Sequence, residues 1–172
     1  MGAEETTGTT QYLTFTLGAE EFALDIAKVR EVLDYTTITR VPRMPDFLRG
    51  VINLRGNVVP VVDLRMKLGM PAAERTVSTC IVITEVDLDG ETVQMGMLTD
   101  SVQEVLDLDQ GQVQPPPRFG TKLNTEFIRG MGKRDDRFLI ILDIDRVLSG
   151  GEIAELQHTG MESLDAEAEM AA

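Results

Sequence analysis

In the stretch YLTFTL, Leu13, Phe15 and Leu17 alternate with polar positions, the period-two pattern of a strand with one buried face. Further along, TCIVITEV is a β-type run, and residues 58–62 and 138–142 (VVPVV and FLIIL) are β-branched or apolar runs of strand character. Pro60 lacks a backbone donor, which predicts that its strand lies at a sheet edge or carries a bulge there. In VDLDGETV, Asp89-Gly90 stands between two β-rich arms and predicts a hairpin whose turn positions take positive φ. Asp63 and Asp143 are each placed to cap a short helix, LRMKL and IDRVL, with Gly69 and Gly150 as stop signals. Many short strands, tight turns and little helix suggest two small β-barrels.

The chain repeats itself. VREVLD begins at Val29 and VQEVLD at Val102, 73 positions later. Downstream, FLRGVINLRGNVVPVVDLRMKL at Phe47 faces FIRGMGKRDDRFLIILDIDRVL at Phe127, now 80 positions apart, with Arg49/Arg129, Gly50/Gly130, Asp63/Asp143 and Leu68/Leu148 identical. One insertion of seven residues reconciles the two offsets, and QPPPRFG is a Pro-rich loop able to hold it. Two matches in the same order point to duplication of one structural unit. Residues 1–11 read as a disordered start, 12–156 as the folded body and 157–172 as an acidic tail, with helix possible from Gly151.

Composition narrows the function classes. The net charge is −13, but eight acids and no bases lie within residues 1–11 and beyond Arg146, leaving about five net negative charges on the rest. There is no basic stripe, which argues against nucleic acid. No apolar run approaches the ~20 residues that span a bilayer, the start lacks a signal-peptide pattern, and Thr7 falls outside the Ser/Thr position of a myristoylation motif. A cytoplasmic protein without direct membrane insertion is expected. Cys80 and His158 are the single cysteine and histidine, so a disulfide, a Cys-cluster metal site or a Ser-His-Asp triad finds no support; Cys80 reads as a buried structural thiol.

Candidate chemistry is sparse. RGMGKRDD at 129–136 has the letters of a phosphate loop without its spacing or helix, and Asp87 and Asp89 lack the other ligands of a calcium loop. No catalytic residues, metal or cofactor are assigned. RGVINLRGN at 49–57 differs: Gly50 and Gly56 punctuate a strand-like piece in which Asn53 and Arg55 are polar. They serve either a tight turn or a binding surface. The second copy has Lys133 and Asp135 there, which favours a surface that only one copy carries.

FTLGAEEFALDIAKVREVLDY followed by FLRGVINLRGNVVPVVDLRMKLG resembles the CheW family of bacterial chemotaxis coupling proteins, and DSVQEVLDL, PPPRF and FIRGMGKRDDRFLIILDIDRVL continue the likeness in order, from Tyr12 to Leu156. The resemblance implies a mainly β fold of two pseudo-symmetric five-stranded SH3-like β-barrel subdomains with short helices. It also implies a non-enzymatic adaptor that binds the cytoplasmic tip of a chemoreceptor and the regulatory domain of the chemotaxis histidine kinase, recruited to membrane-associated receptor arrays. The receptor site it implies comprises Val29, Glu31, Val32, Gly50, Asn53, Arg55, Gly56 and Val102, with the helical tip in an apolar groove between subdomains. Simple core packing is the alternative for the three valines. The kinase-facing surface is expected at an exposed apolar barrel end, with no residues assigned. An enzyme of unknown type and a nucleic-acid-binding barrel are the competing classes; length argues against a fused kinase or receiver domain outside 12–156.

Overall fold

The computed structural model describes residues 9–71, 73–88, 90–116 and 127–148. Eleven strands form two sheets: β1 (Thr9–Leu17), β2 (Glu20–Asp25), β3 (Val29–Asp34), β4 (Leu48–Leu54), β5 (Asn57–Asp63), β6 (Cys80–Leu88), β7 (Glu91–Thr99), β8 (Ser101–Asp109), β9 (Val113–Gln114), β10 (Ile128–Arg134) and β11 (Arg137–Leu142). Two short helices, Leu64–Lys67 and Ile144–Leu148, follow β5 and β11. As the sequence predicts, Asp63 caps the first, accepting from the Arg65 and Met66 amides, and Asp143 accepts from the Arg146 amide at 3.3 Å. Gly69, at φ +83°, ends the first helix. Gly150, the tail from Gly151 and residues 1–8 lie outside the described residues, whereas β1 begins at Thr9, inside the stretch read as a disordered start.

The strand orders are β8-β1-β2-β11-β10-β9 and β3-β6-β7-β5-β4. The duplication is visible in them, because β8, β1, β2, β11 and β10 correspond one for one to β3, β6, β7, β5 and β4. Register confirms both offsets: Ala23 pairs with Ile141 where Gly96 pairs with Val61, and Gly50 with Val61 where Gly130 pairs with Ile141. Yet neither sheet is one sequence copy. β1 and β2 pair with strands of the second half, and β6 and β7 with strands of the first. The expected five strands per barrel hold for one sheet. The other has a sixth, the two-residue β9, whose counterpart is a single bridge between Thr39 and Val51.

Both sheets curl. Five strands laid flat would put the first and last ~19 Å apart, at ~4.8 Å per step. Instead Arg134, ending β10, donates to Glu104 on β8 at 2.6 Å, and Arg55, after β4, reaches Glu31 on β3. Each ion pair therefore spans the seam of a nearly closed barrel.

Strand alternation sorts side chains into three cores. Ile52, Leu54, Val59, Val61, Ile81 and Ile83 fill one barrel; Tyr12, Ala23, Leu108, Leu139 and Ile141 fill the other. Their strand neighbours, among them Leu13, Phe15, Leu17, Val62, Val82, Met97 and Leu142, form a larger cluster between the sheets. FLIIL is continuously apolar because Leu139 and Ile141 enter a barrel while Ile140 and Leu142 face the central cluster. The apolar run around Pro60 has the same cause and needs no edge: β5 lies between β4 and β7, and its parallel pairing with β7 begins only at Val61. Cys80 is half-buried at the start of β6, its thiol donating to the Ser78 carbonyl at 3.2 Å. In the β6–β7 hairpin Leu88 pairs with Glu91 and Gly90 has φ +84°; Asp89 lies outside the described residues.

Candidate binding surface on the repeated edge strands

VREVLD is β3 and VQEVLD is the core of β8, and each is the edge strand of its sheet. Both pairings carry a bulge. Val29 pairs with Thr84 and Val32 with Val82; Val102 pairs with Phe15 and Val105 with Leu13. In a regular strand residues three apart point to opposite faces, but the extra residue of the bulge returns them to one face. The first and fourth letters of V-x-E-V thus both face the central cluster, and the glutamate between them faces the barrel seam. Thr14 secures the bulge on β8, donating its hydroxyl to the Glu104 carbonyl at 2.9 Å and accepting from the Glu104 amide at 3.2 Å.

Val29 and Val102 pack, half-buried, against the same central cluster. Val32 and Val105, beside Val82 and Leu13 of that cluster, are 40% and 47% exposed and carry its apolar surface out to solvent. Val105 is absent from the residues read out of the sequence, although it stands 73 positions after Val32 and the repeat alone would have supplied it. Val58 and Phe138, 80 positions apart near the hairpin ends of β5 and β11, are 45% and 51% exposed. Among the described residues, four of the five exposed large hydrophobic ones thus fall into two repeat-related pairs, the fifth being Val77. Scattered single exposures are ordinary; the same exposure at duplicated positions marks surfaces.

Glu31 and Arg55, both expected at the site, meet. Arg55 Nη1 donates to Glu31 Oε1 at 3.3 Å and Nη2 to Oε2. This forked hydrogen bond holds the Glu31 carboxyl below the ordinary glutamate range and raises the Arg55 guanidinium. Arg55 and Gly56 form the two-residue turn between β4 and β5 at φ +51° and +89°, the signs of a type I′ hairpin. Asn53 Oδ1 accepts from the Gly56 amide at 2.7 Å, so the turn reading explains Asn53 and Gly56. Gly50 has its own reason: a Cβ there would lie 2.1 Å from the Thr39 carbonyl oxygen, where the loop before β4 crosses the strand. The inference that only one copy carries this chemistry is corrected by the fold. Letter alignment sets Arg55 against Asp135, but Arg134, one position earlier, makes the equivalent bond to Glu104, itself 73 positions after Glu31.

Among the described residues no group of three or more His, Cys, Asp or Glu is arranged to hold a metal, and no helix is long and apolar enough to cross a membrane.

Comparison with known proteins places this architecture. A family model described as CheW-like domain matches residues 11–152. The chain is 40% identical over 152 residues to a Chemotaxis protein CheW of Klebsiella aerogenes, covering 88% of this chain and 89% of that one. It is 34% identical over 147 residues to a Chemotaxis protein CheW of Rhizobium meliloti, covering 86% and 92%. Among solved structures, the scaffolding protein TtCheW from Thermoanaerobacter tengcongensis superposes with a TM-score of 0.74 at 32% identity, covering 84% of this chain and 95% of that one. With the family model matching residues 11–152 and these relatives at 34–40% identity over most of their length, the chain belongs to the CheW-like family, whose named members are chemotaxis proteins and a scaffold.

Proposed function

We propose that this protein is a cytoplasmic adaptor, not an enzyme, that couples chemoreceptor tips to the regulatory domain of the chemotaxis histidine kinase within membrane-associated arrays. The observation that carries the receptor half is the apolar strip on each edge strand, Val29 with Val32 and Val102 with Val105, bordering one central cluster. A helix docks through apolar side chains recurring along one face, and two valine strips rimming a common core offer a matching groove. Glu31 and Arg55 fix the seam beside it and give the rim a charged, oriented edge. Gly50, Asn53 and Gly56 act by shaping the hairpin that carries Arg55.

The kinase half rests on Val58 and Phe138. They are the exposed apolar positions near barrel ends, one per barrel, and suit end-to-end docking with a duplicated partner. The test is a reconstitution of receptor cytoplasmic fragment, kinase and this protein, with Val105→Glu and Phe138→Ser measured beside the unmodified chain. Val105→Glu is expected to weaken receptor binding about 30-fold or more by setting a charge in the groove. Phe138→Ser should spare receptor binding and lower kinase recruitment. No ternary complex with the unmodified chain, or equal effects of both variants on both partners, would sink this reading.

A further inference from the structure

The loop between β3 and β4 and its neighbours enclose a cleft of about 680 Å³ whose chemistry differs from the seams. Ile38, Val41, Met44, Leu48 and Met66 line it together with Arg40, Arg43, Arg49 and Asp46. In the cleft of the other barrel, the arginines are already neutralised, Arg134 by Glu104 at 2.6 Å and Arg137 by Glu21 at 3.4 Å. Here Arg49 approaches buried Asp63 at 3.7 Å, while Arg40 and Arg43 are exposed and have no ion pair among the described residues. Two guanidinium groups without an ion pair among the described residues, beside apolar side chains on a chain of net charge −13, call for an acidic segment with apolar residues interleaved.

We propose that this cleft is the docking site of the chain's own acidic segment, residues 152–169. That segment holds Glu152, Glu155, Glu162, Asp165, Glu167 and Glu169 with no Lys or Arg, and places Ile153, Leu156, Met161 and Leu164 among them. Reach is ample: the residues after Leu148 span about 80 Å when extended, against a domain about 40 Å across. Tethering favours this occupant over an external acidic peptide, since covalent attachment raises its effective concentration at the cleft.

The experiment uses the full chain with Cys80→Ser and Ser163→Cys, the new thiol carrying a nitroxide, and reads backbone amide intensities. The expected result is loss of about half or more of the intensity at residues 38–49, relieved at roughly 0.5 M NaCl, where the screening length is about 4 Å, and relieved by Arg40→Glu with Arg43→Glu. Should the double variant fail to fold, the salt titration on the native cleft decides alone. Uniform or absent broadening overturns the proposal, as does broadening that survives both salt and charge reversal. Broadening seen only between a labelled and an unlabelled copy overturns it in favour of a second molecule in the cleft.

Discussion

The two barrels fasten their short helices with the same three groups drawn from different residues. In one, Arg65 of the first helix donates to Asp100 at 2.6 Å, and Asp100 also accepts from the Gly18 amide at 2.6 Å. In the other, Asp145 of the second helix accepts from Lys28 at 2.9 Å and from the Asp87 amide at 3.0 Å. Arg65 and Asp145 are repeat equivalents, so the helix carries the cation in one barrel and the carboxylate in the other. The comparison teaches that the fold places a cation, a carboxylate and a backbone amide in contact at both helices, whichever letters supply them. The seams teach the same, since Arg55 and Arg134 reach equivalent glutamates from positions one residue out of register.

The comparison breaks first at the glycines. Gly50→Ala drives a methyl into the Thr39 carbonyl at a φ of +144° and should cost about 3 kcal/mol or more in denaturant unfolding. Gly130→Ala meets the Gln114 carbonyl oxygen and Val113 at 3.0 Å and should cost only about 1 kcal/mol. Equal losses would show that the loop crossing in the first copy is no tighter than β9 in the second.

Helix fastenings come next. Arg65 is 14% exposed and also donates to the Pro71 carbonyl at 2.8 Å, so Arg65→Ala should cost about 1–2 kcal/mol. Lys28, 32% exposed, should cost about 0.5–1 kcal/mol as Lys28→Ala. A reversed order in urea midpoints would contradict the geometry.

Alkaline pH tests the Lys28 fastening further. The hydrogen bond to Asp145 raises the Lys28 pKa above the ordinary lysine value, so its contribution is complete below about pH 10.4 and is lost as pH rises through the folded-state value. Lys28→Arg should therefore flatten part of the fall in melting temperature above about pH 10.5, where lysine otherwise deprotonates; an unchanged slope would mean Lys28 holds nothing. The smallest effect lies at Glu31. Its lowered pKa keeps the carboxylate charged below the usual glutamate midpoint of about 4.3, and carboxyl-carbon NMR titration should return it toward that value in Arg55→Ala.

The strand content, the helix caps at Asp63 and Asp143 and the duplication itself were legible in the sequence, because alternation, capping and self-similarity are local or linear signals. The exchange of strands between halves was not, since VREVLD reads the same whichever sheet its edge joins. Val29 and Val102 could be named from their repetition. Val105 required knowing that a bulge turns a three-residue step onto one face. Arg134 was hidden for a related reason: its role is fixed by where the barrel seam closes, and alignment of letters records order along the chain rather than distance across a gap. Pro60 misled because a missing N–H marks an edge only where a neighbouring strand would pair with it, and the pairing of β5 with β7 begins at Val61.

The exchange of strands has a mechanical consequence. The chain crosses between barrels twice, at residues 26–28 after β2 and at Asp100 after β7. Those crossings carry Lys28 and Asp100, the residues that grip the two helices. A hinge between the barrels would have to twist both crossings together and unfasten both helices. The two barrels are therefore built to resist torsion, and a load placed on one edge strand moves the pair as a single stiff body.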